Sequence, residues 1–248
     1  MASMNLLALV QEFSRRRGLP IPGTVTGAQD DTVNQMWGLL NEGIADIADR
    51  FIWQHLRTRY VFAHAGSTDY TALDLSENGP VPGYKAMLNN TIWDTTNRRQ
   101  VFGPYDPIQW EAMINLQVSQ AVYNYTIYGN ALRIYPVPDP IITDQFSMEY
   151  LSNYGVMNPD ANELTLFYDI DTAYPLFPSS LILQDLKWRW NQAKGLAYAE
   201  DMRQVEEMIL NLQARDPAPD IVMDRSGFDQ VAQPGLLVAA GNWPISNP

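Results

Sequence analysis

Residues 30–60 read DDTVNQMWGLLNEGIADIADRFIWQHLRTRY, and the fold turns on how this stretch is parsed. Val33, Met36, Trp37, Leu40, Ile44, Ile47, Ala48, Phe51 and Ile52 recur every three or four residues. That spacing puts one buried stripe on a helix. Asp30 or Asp31 can accept from the free amides of a first turn, so the helix is expected to begin there. Run from residue 31 to about 55, it would be about 38 Å long at ~1.5 Å per residue. The period then changes. RTRYVFAHA, residues 57–65, is β-branched and aromatic, and Tyr60, Phe62 and His64 alternate with Val61 and Ala63. This predicts a strand that follows the helix directly.

The rest of the chain extends the pattern on both sides. Residues 4–17 predict a first helix, with Leu6, Leu9, Val10 and Phe13 as its stripe and Arg15, Arg16 and Arg17 in its last turn. Cations suit that end of the dipole, and Gly18 and Pro20 stop the helix. Strands are expected at 58–65, 70–75, 91–94, 122–128, 132–135, 145–151 and 164–170. The clearest pair flanks Gly129-Asn130, a dipeptide that tolerates positive φ. Asp106-Pro107 marks the start of a short helix. Helices return over 179–216, capped near Ser179-Ser180 and broken at Gly195. Within them Tyr198, Met202, Val205, Ile209 and Leu212 repeat at four, three, four, three, which reads as a seam of coiled-coil type.

The expected fold class is therefore α+β. A helical bundle is built from the N- and C-terminal helices, residues 1–57 with 178–216. A central antiparallel β module of six to eight strands fills 58–177. An extended tail follows over 217–248, rich in Pro and Gly but carrying the apolar run GLLVAAGNWP.

Composition narrows the function. The chain has 248 residues, is 46% hydrophobic, and holds 13 Tyr, 8 Phe and 7 Trp, enough for a large core. It has no Cys, so disulfides and thiolate metal sites are excluded. No run of about eighteen apolar residues is present to span a membrane. The opening MASMNLLALVQEFSRRRG puts its positive charges after the apolar stretch, so no secretory signal is expected. The net charge is −12. Asp139, Asp144, Glu149, Asp160, Glu163, Asp169, Asp171 and Asp185 fall in a span without any Lys or Arg. Tight sequence-independent grip on nucleic acid needs phosphate-neutralising cations. Such a span serves solubility, or else faces a polyanion that must slide past.

A search for chemistry finds no catalytic constellation. His55 and His64 are the two histidines, and they lack ligand spacing. No phosphate loop or nucleophile elbow is present. Asp169-x-Asp171 reads first as a solvated turn and only second as a cation site. Glu42, Asp46 and Asp49 share the polar side of the long helix, an ordinary solvent face. In Lys187-Trp188-Arg189-Trp190, at least one Trp must anchor the helix to the sheet or to a neighbouring subunit. No catalytic, metal or cofactor-binding residue is therefore expected.

Four stretches together resemble the head-to-tail adaptor proteins of short-tailed bacteriophages. They are the early helix pair LLALVQEFSRRRGL and LLNEGIADIADRFIWQHL, the hairpin YNYTIYGNALRIYPVPDP, the stretch FPSSLILQDLKWRWNQAKGLAYAEDMRQVEEMI, and the irregular tail after QARD. The resemblance spans about residues 4–216. It implies a structural virion protein, not an enzyme, needing no cofactor and located at the head–tail junction after assembly in the bacterial cytoplasm. Twelve copies would form a ring beneath the portal protein. The ring would meet a tail nozzle or tube protein and pass genomic DNA without specific binding and without a membrane. On this reading Tyr198, Met202, Val205, Ile209, Leu212, Phe228 and Trp243 belong to subunit or portal contacts. Asp139, Asp144, Asp169 and Asp171 line the DNA channel. The competing readings are another tail tube or nozzle subunit, which more nearly pure β content would favour, and a cell-wall-degrading virion enzyme, which needs a cleft with two carboxylates.

Overall fold

A computed structural model describes residues 3–65, 70–116, 122–137 and 143–216. In chain order the elements are helix α1 (Leu6–Arg17), helix α2 (Asp31–Asp49), a single 3-10 turn (Gln54–Leu56), and strands β1 (Arg57–Ala65), β2 (Thr71–Asp74), β3 (Tyr84–Met87), β4 (Trp93–Asp94) and β5 (Arg99–Gln100). Helix α3 (Pro107–Asn115) follows. Then come β6 (Asn124–Tyr128), β7 (Ala131–Tyr135), β8 (Thr143–Ser152), β9 (Val156–Asn158), β10 (Glu163–Thr165) and β11 (Tyr174–Pro175). Helices α4 (Ser179–Ala193) and α5 (Ala199–Arg215) close the described chain.

Local chemistry sets most of these boundaries. The Asp30 carboxylate accepts from Thr32 N–H at 2.8 Å and starts α2. Asp106 accepts from Ile108 and Gln109 N–H, both at 2.9 Å, with Pro107 at the first helical position. Gly18, at φ 66°, ends α1 in the left-handed conformation that glycine adopts without steric cost. Gly195 falls in the turn that divides α4 from α5. The expected cap at Ser179-Ser180 is not used: Pro178 precedes the first turn of α4 and makes no side-chain cap bond. Helix α2 also ends at Asp49 rather than near His55. Trp53 breaks the run by folding back, its indole N–H donating to the Ile47 carbonyl at 2.9 Å.

The expected bundle of terminal helices is not what forms. The chain is mixed α/β, with five helices and three antiparallel sheets among the described residues. The helices' apolar stripes do meet, but their core is completed by Leu151, Val156, Tyr168, Ala173 and Phe177 from the strand-rich middle. Backbone bonds fix this arrangement: Leu6 N–H donates to Ala173 O at 2.8 Å, and Leu7 N–H to Asp171 O at 3.2 Å. From α2, the Trp37 indole donates to Tyr168 O at 2.8 Å, and Asn41 Oδ1 accepts from Tyr168 N–H at 2.9 Å. Residues 168–173 thus serve as a wall of the helical layer. The strand expected over 164–170 is confined to Glu163–Thr165 for the same reason.

The middle of the chain is three sheets rather than one module. The largest follows β1-β8-β4-β5, with β3 also on β8; the others are β2-β7-β6 and β10-β9-β11. The first two share a core of Phe62, Leu73, Val101, Tyr125, Ile134 and Phe146, among others. Gly129-Asn130 turns the β6–β7 hairpin as its sequence demanded, with Gly129 at φ 60°. The eleven strands among the described residues exceed the expected six to eight because several, such as β4 and β5, are two residues long and carry no readable alternation.

Candidate assembly surface

Helix α5 carries the seam from Tyr198 to Leu212, and the fold divides it. Val205 (1% exposed) and Ile209 (2%) are sealed in the helical core. Leu212 packs against that core while remaining partly exposed. Tyr198 (37%) and Met202 (38%) stand in solvent, joined by Leu196 (53%) and Leu210 (63%). The seam of α5 is therefore sealed at Val205 and Ile209 and open at its N-terminal end, where Tyr198 and Met202 continue the same line, while Leu210 is exposed on another face of the helix. A four-three repeat in sequence cannot tell these apart, because it fixes a buried face without saying what buries it.

The first turn of α5 is held in place by charge. Asp201 accepts from Lys187 Nζ at 2.6 Å and from Asn191 Nδ2 at 2.8 Å, both on α4. Beneath it, Arg189 is 6% exposed and forms a hub. Its guanidinium donates to Asp185 Oδ2 at 2.9 Å, Glu42 Oε1 at 2.8 Å and Asp46 Oδ2 at 2.7 Å. Asp185 also accepts from the Trp188 indole at 2.8 Å. Burial pushes the Asp185 carboxyl up, with the Arg189 charge pulling against it. Asp46 passes the network to Arg50 at 2.9 Å, and Arg50 also pairs with Glu206 on α5. The polar side of α2 is thus no ordinary solvent face: Glu42 and Asp46 hold Arg189, and Asp49 pairs with Lys85 at 2.7 Å. Contact this close requires glycine at position 43, where a Cβ would lie 2.1 Å from Asp185 Oδ2. The WRW cluster is absorbed likewise. Both indoles are buried, and Trp190 meets Phe13 of α1 edge-on at 5.7 Å, so it anchors helix to helix. The Arg15–Arg17 run is held within the fold: Arg16 pairs with Glu12 at 2.9 Å on its own helix, and Arg17 donates to Asn191 Oδ1 of α4 at 2.8 Å.

The acids expected to line a channel have individual roles. Asp171 accepts from Thr24 Oγ1 at 2.6 Å, Thr26 N–H at 2.8 Å, Thr26 Oγ1 at 3.0 Å and Val25 N–H at 3.1 Å. Partial burial works to raise its carboxyl, but these bonds outweigh it and hold the group below its ordinary range. It is a brace for the loop between α1 and α2. Asp169 is exposed and accepts from Asn158 Nδ2 at 3.2 Å. Asp144 pairs through its backbone with His64 in the β1·β8 ladder. Asp139, Phe228 and Trp243 lie outside the described residues, as does the proposed tail.

His55 is held against Trp53 and Phe177, and burial lowers its pKa, opposed by the nearby Asp216. Among the described residues no group of three or more His, Cys, Asp or Glu side chains converges on a metal geometry. A cleft of about 430 Å³ is lined by Thr58, Tyr150, Tyr154, Glu163 and Leu164 among others, with Glu163 as the carboxylate in its lining. Among the described residues no helix is long and apolar enough to cross a membrane. No protein-family model matches this chain, and no curated protein sequence matches it.

Proposed function

We propose that this chain is a structural subunit of the head-to-tail adaptor ring of a short-tailed bacteriophage. On this reading twelve copies join the portal protein to a tail nozzle or tube protein and surround the passing genome. The observation that carries it is the uncovered apolar line of Tyr198 and Met202 at the start of α5, with Leu196 exposed just before it. Exposed aromatic and Met side chains of this kind are enriched at protein interfaces. The line is presented by a rigid element, because Asp201 and Arg50 tie α5 to its neighbours. The net charge of −12 adds support, since a conduit must repel the polyanion it conducts. The test is to mix purified chain with purified portal rings and follow them by gel filtration. Co-migration that is lost in the Tyr198→Ser/Met202→Ser variant is the expected result. Migration of the two as separate species at every concentration would defeat the reading.

A further inference from the structure

Strand β1 has an open long edge. All nine of its residues pair with β8 in unbroken register, Arg57 with Leu151 through Ala65 with Thr143. Among the described residues β8 is its one strand neighbour, and no other backbone bond reaches residues 58–63. In an antiparallel ladder alternate residues turn both N–H and C=O away from the partner, so about four residues of β1 present free donors and acceptors outward. Proteins guard such edges with Pro, Lys, bulges or brevity. The other edges here are guarded: β2 and β3 carry register shifts, β3 holds Lys85, β11 contains Pro175, β5 and β10 are two and three residues long, and β6 is covered by residues 102–105, Tyr125 N–H donating to Phe102 O and Tyr105 N–H to Tyr125 O. RTRYVFAHA has no Pro, Lys, bulge or brevity, and its charged residues, Arg57 and Arg59, lie at one end.

We infer that two copies of this chain pair through their β1 edges, antiparallel about a two-fold axis at Val61, and fuse their five-stranded sheets into one. Two features select a second copy as the occupant. The first is charge. In a chain of net charge −12, no acid occurs between Asp49 and Asp69, while Arg57 and Arg59 lie within β1. Two copies therefore meet here with the least repulsion. The second is self-complementarity. An axis at Val61 sets Val61, 52% exposed, against itself. It sets Arg59 against Ala63 and Arg57 against Ala65, so no arginine opposes another. It also sets Tyr60 against Phe62 twice, and aromatic cross-strand pairs are among the favourable ones. Tyr60 and Phe62 already stack at 6.4 Å, and Phe62 on Phe146 at 5.6 Å, so pairing would lengthen an existing row.

A two-fold contact closes at two copies, and a ring generated by one rotation axis has no place for it. The pair is therefore a state of the free chain before ring assembly. The absence of native cysteine makes the test direct. Residues facing each other across an antiparallel pair lie about 4.5–5.5 Å apart at Cα, within the range a disulfide spans. Full-length Val61→Cys, oxidised in air, is expected to give a covalent dimer on a non-reducing gel. Phe102→Cys, exposed elsewhere, serves as the background. Val61→Lys, which keeps the strand but sets like charges face to face, is expected to weaken dimerisation in sedimentation on the order of tenfold. Cross-linking of Val61→Cys no greater than that of Phe102→Cys overturns the pairing. So does a wild-type chain that stays monomeric. Neither outcome touches portal binding, which tests the ring separately.

Discussion

Arg189 shows at the residue scale what holds the helices in place. Its charge is buried beside Asp185 and satisfied by carboxylates from two helices. Removing one partner of such a pair leaves an uncompensated charge behind. Arg189→Met is expected to cost about 3–5 kcal/mol in urea unfolding, and replacing Asp185 with Leu in the same chain should restore part of it. A single substitution within about 1 kcal/mol of wild type would show that the hub is peripheral. Asp171 makes a different prediction. Its folded pKa lies below its unfolded value, so its contribution is present above the ordinary carboxylate range and fades as pH falls through the folded pKa. Asp171→Asn should therefore flatten the fall in urea midpoint between about pH 5 and pH 3. An unchanged slope would mean that the loop at residues 24–26 is held by other contacts. The i,i+4 spacing of Asp185 and Arg189 permits their pairing on one helix, although the sequence reading did not single it out. Glu42 and Asp46 were not legible as partners, because nearly 150 residues separate them from Arg189 and only the packed fold brings them together.

The same division appears among the elements. Caps and turns at Asp30, Asp106, Gly18, Gly129 and Gly195 could be read from sequence because each is decided within four residues. The bundle could not be judged that way. An apolar stripe declares that a face is buried, and here Tyr168, Ala173 and Phe177 bury part of it where the terminal helices were expected to bury one another. The α5 seam suffered the same ambiguity, which gives a paired prediction. Ile209→Ala, at the sealed part of the seam, should destabilise the chain by about 2–5 kcal/mol. Tyr198→Ser with Met202→Ser, at its open end, should leave stability within about 0.5 kcal/mol. That variant should lose association instead. If it unfolded as readily as the Ile209 variant, the open end would be part of the core and no assembly surface.

At the scale of the whole molecule, the described chain is mixed α/β with two apolar cores, and it leaves uncovered the Tyr198–Met202 end of the α5 seam and the edge of β1. The net charge of −12 sets a background repulsion that any assembly must overcome locally. On the adaptor reading, apolar contact on α5 would do so without charge, and salt should therefore have little effect on it. The most direct measurement is electron microscopy of the virus particle in which the adaptor reading places this chain. The adaptor reading predicts a closed collar between portal and tail, with copies fitted as rigid bodies and α5 at their mutual or portal contacts. A junction whose density cannot hold this fold, or particles from which the chain is absent, would contradict it.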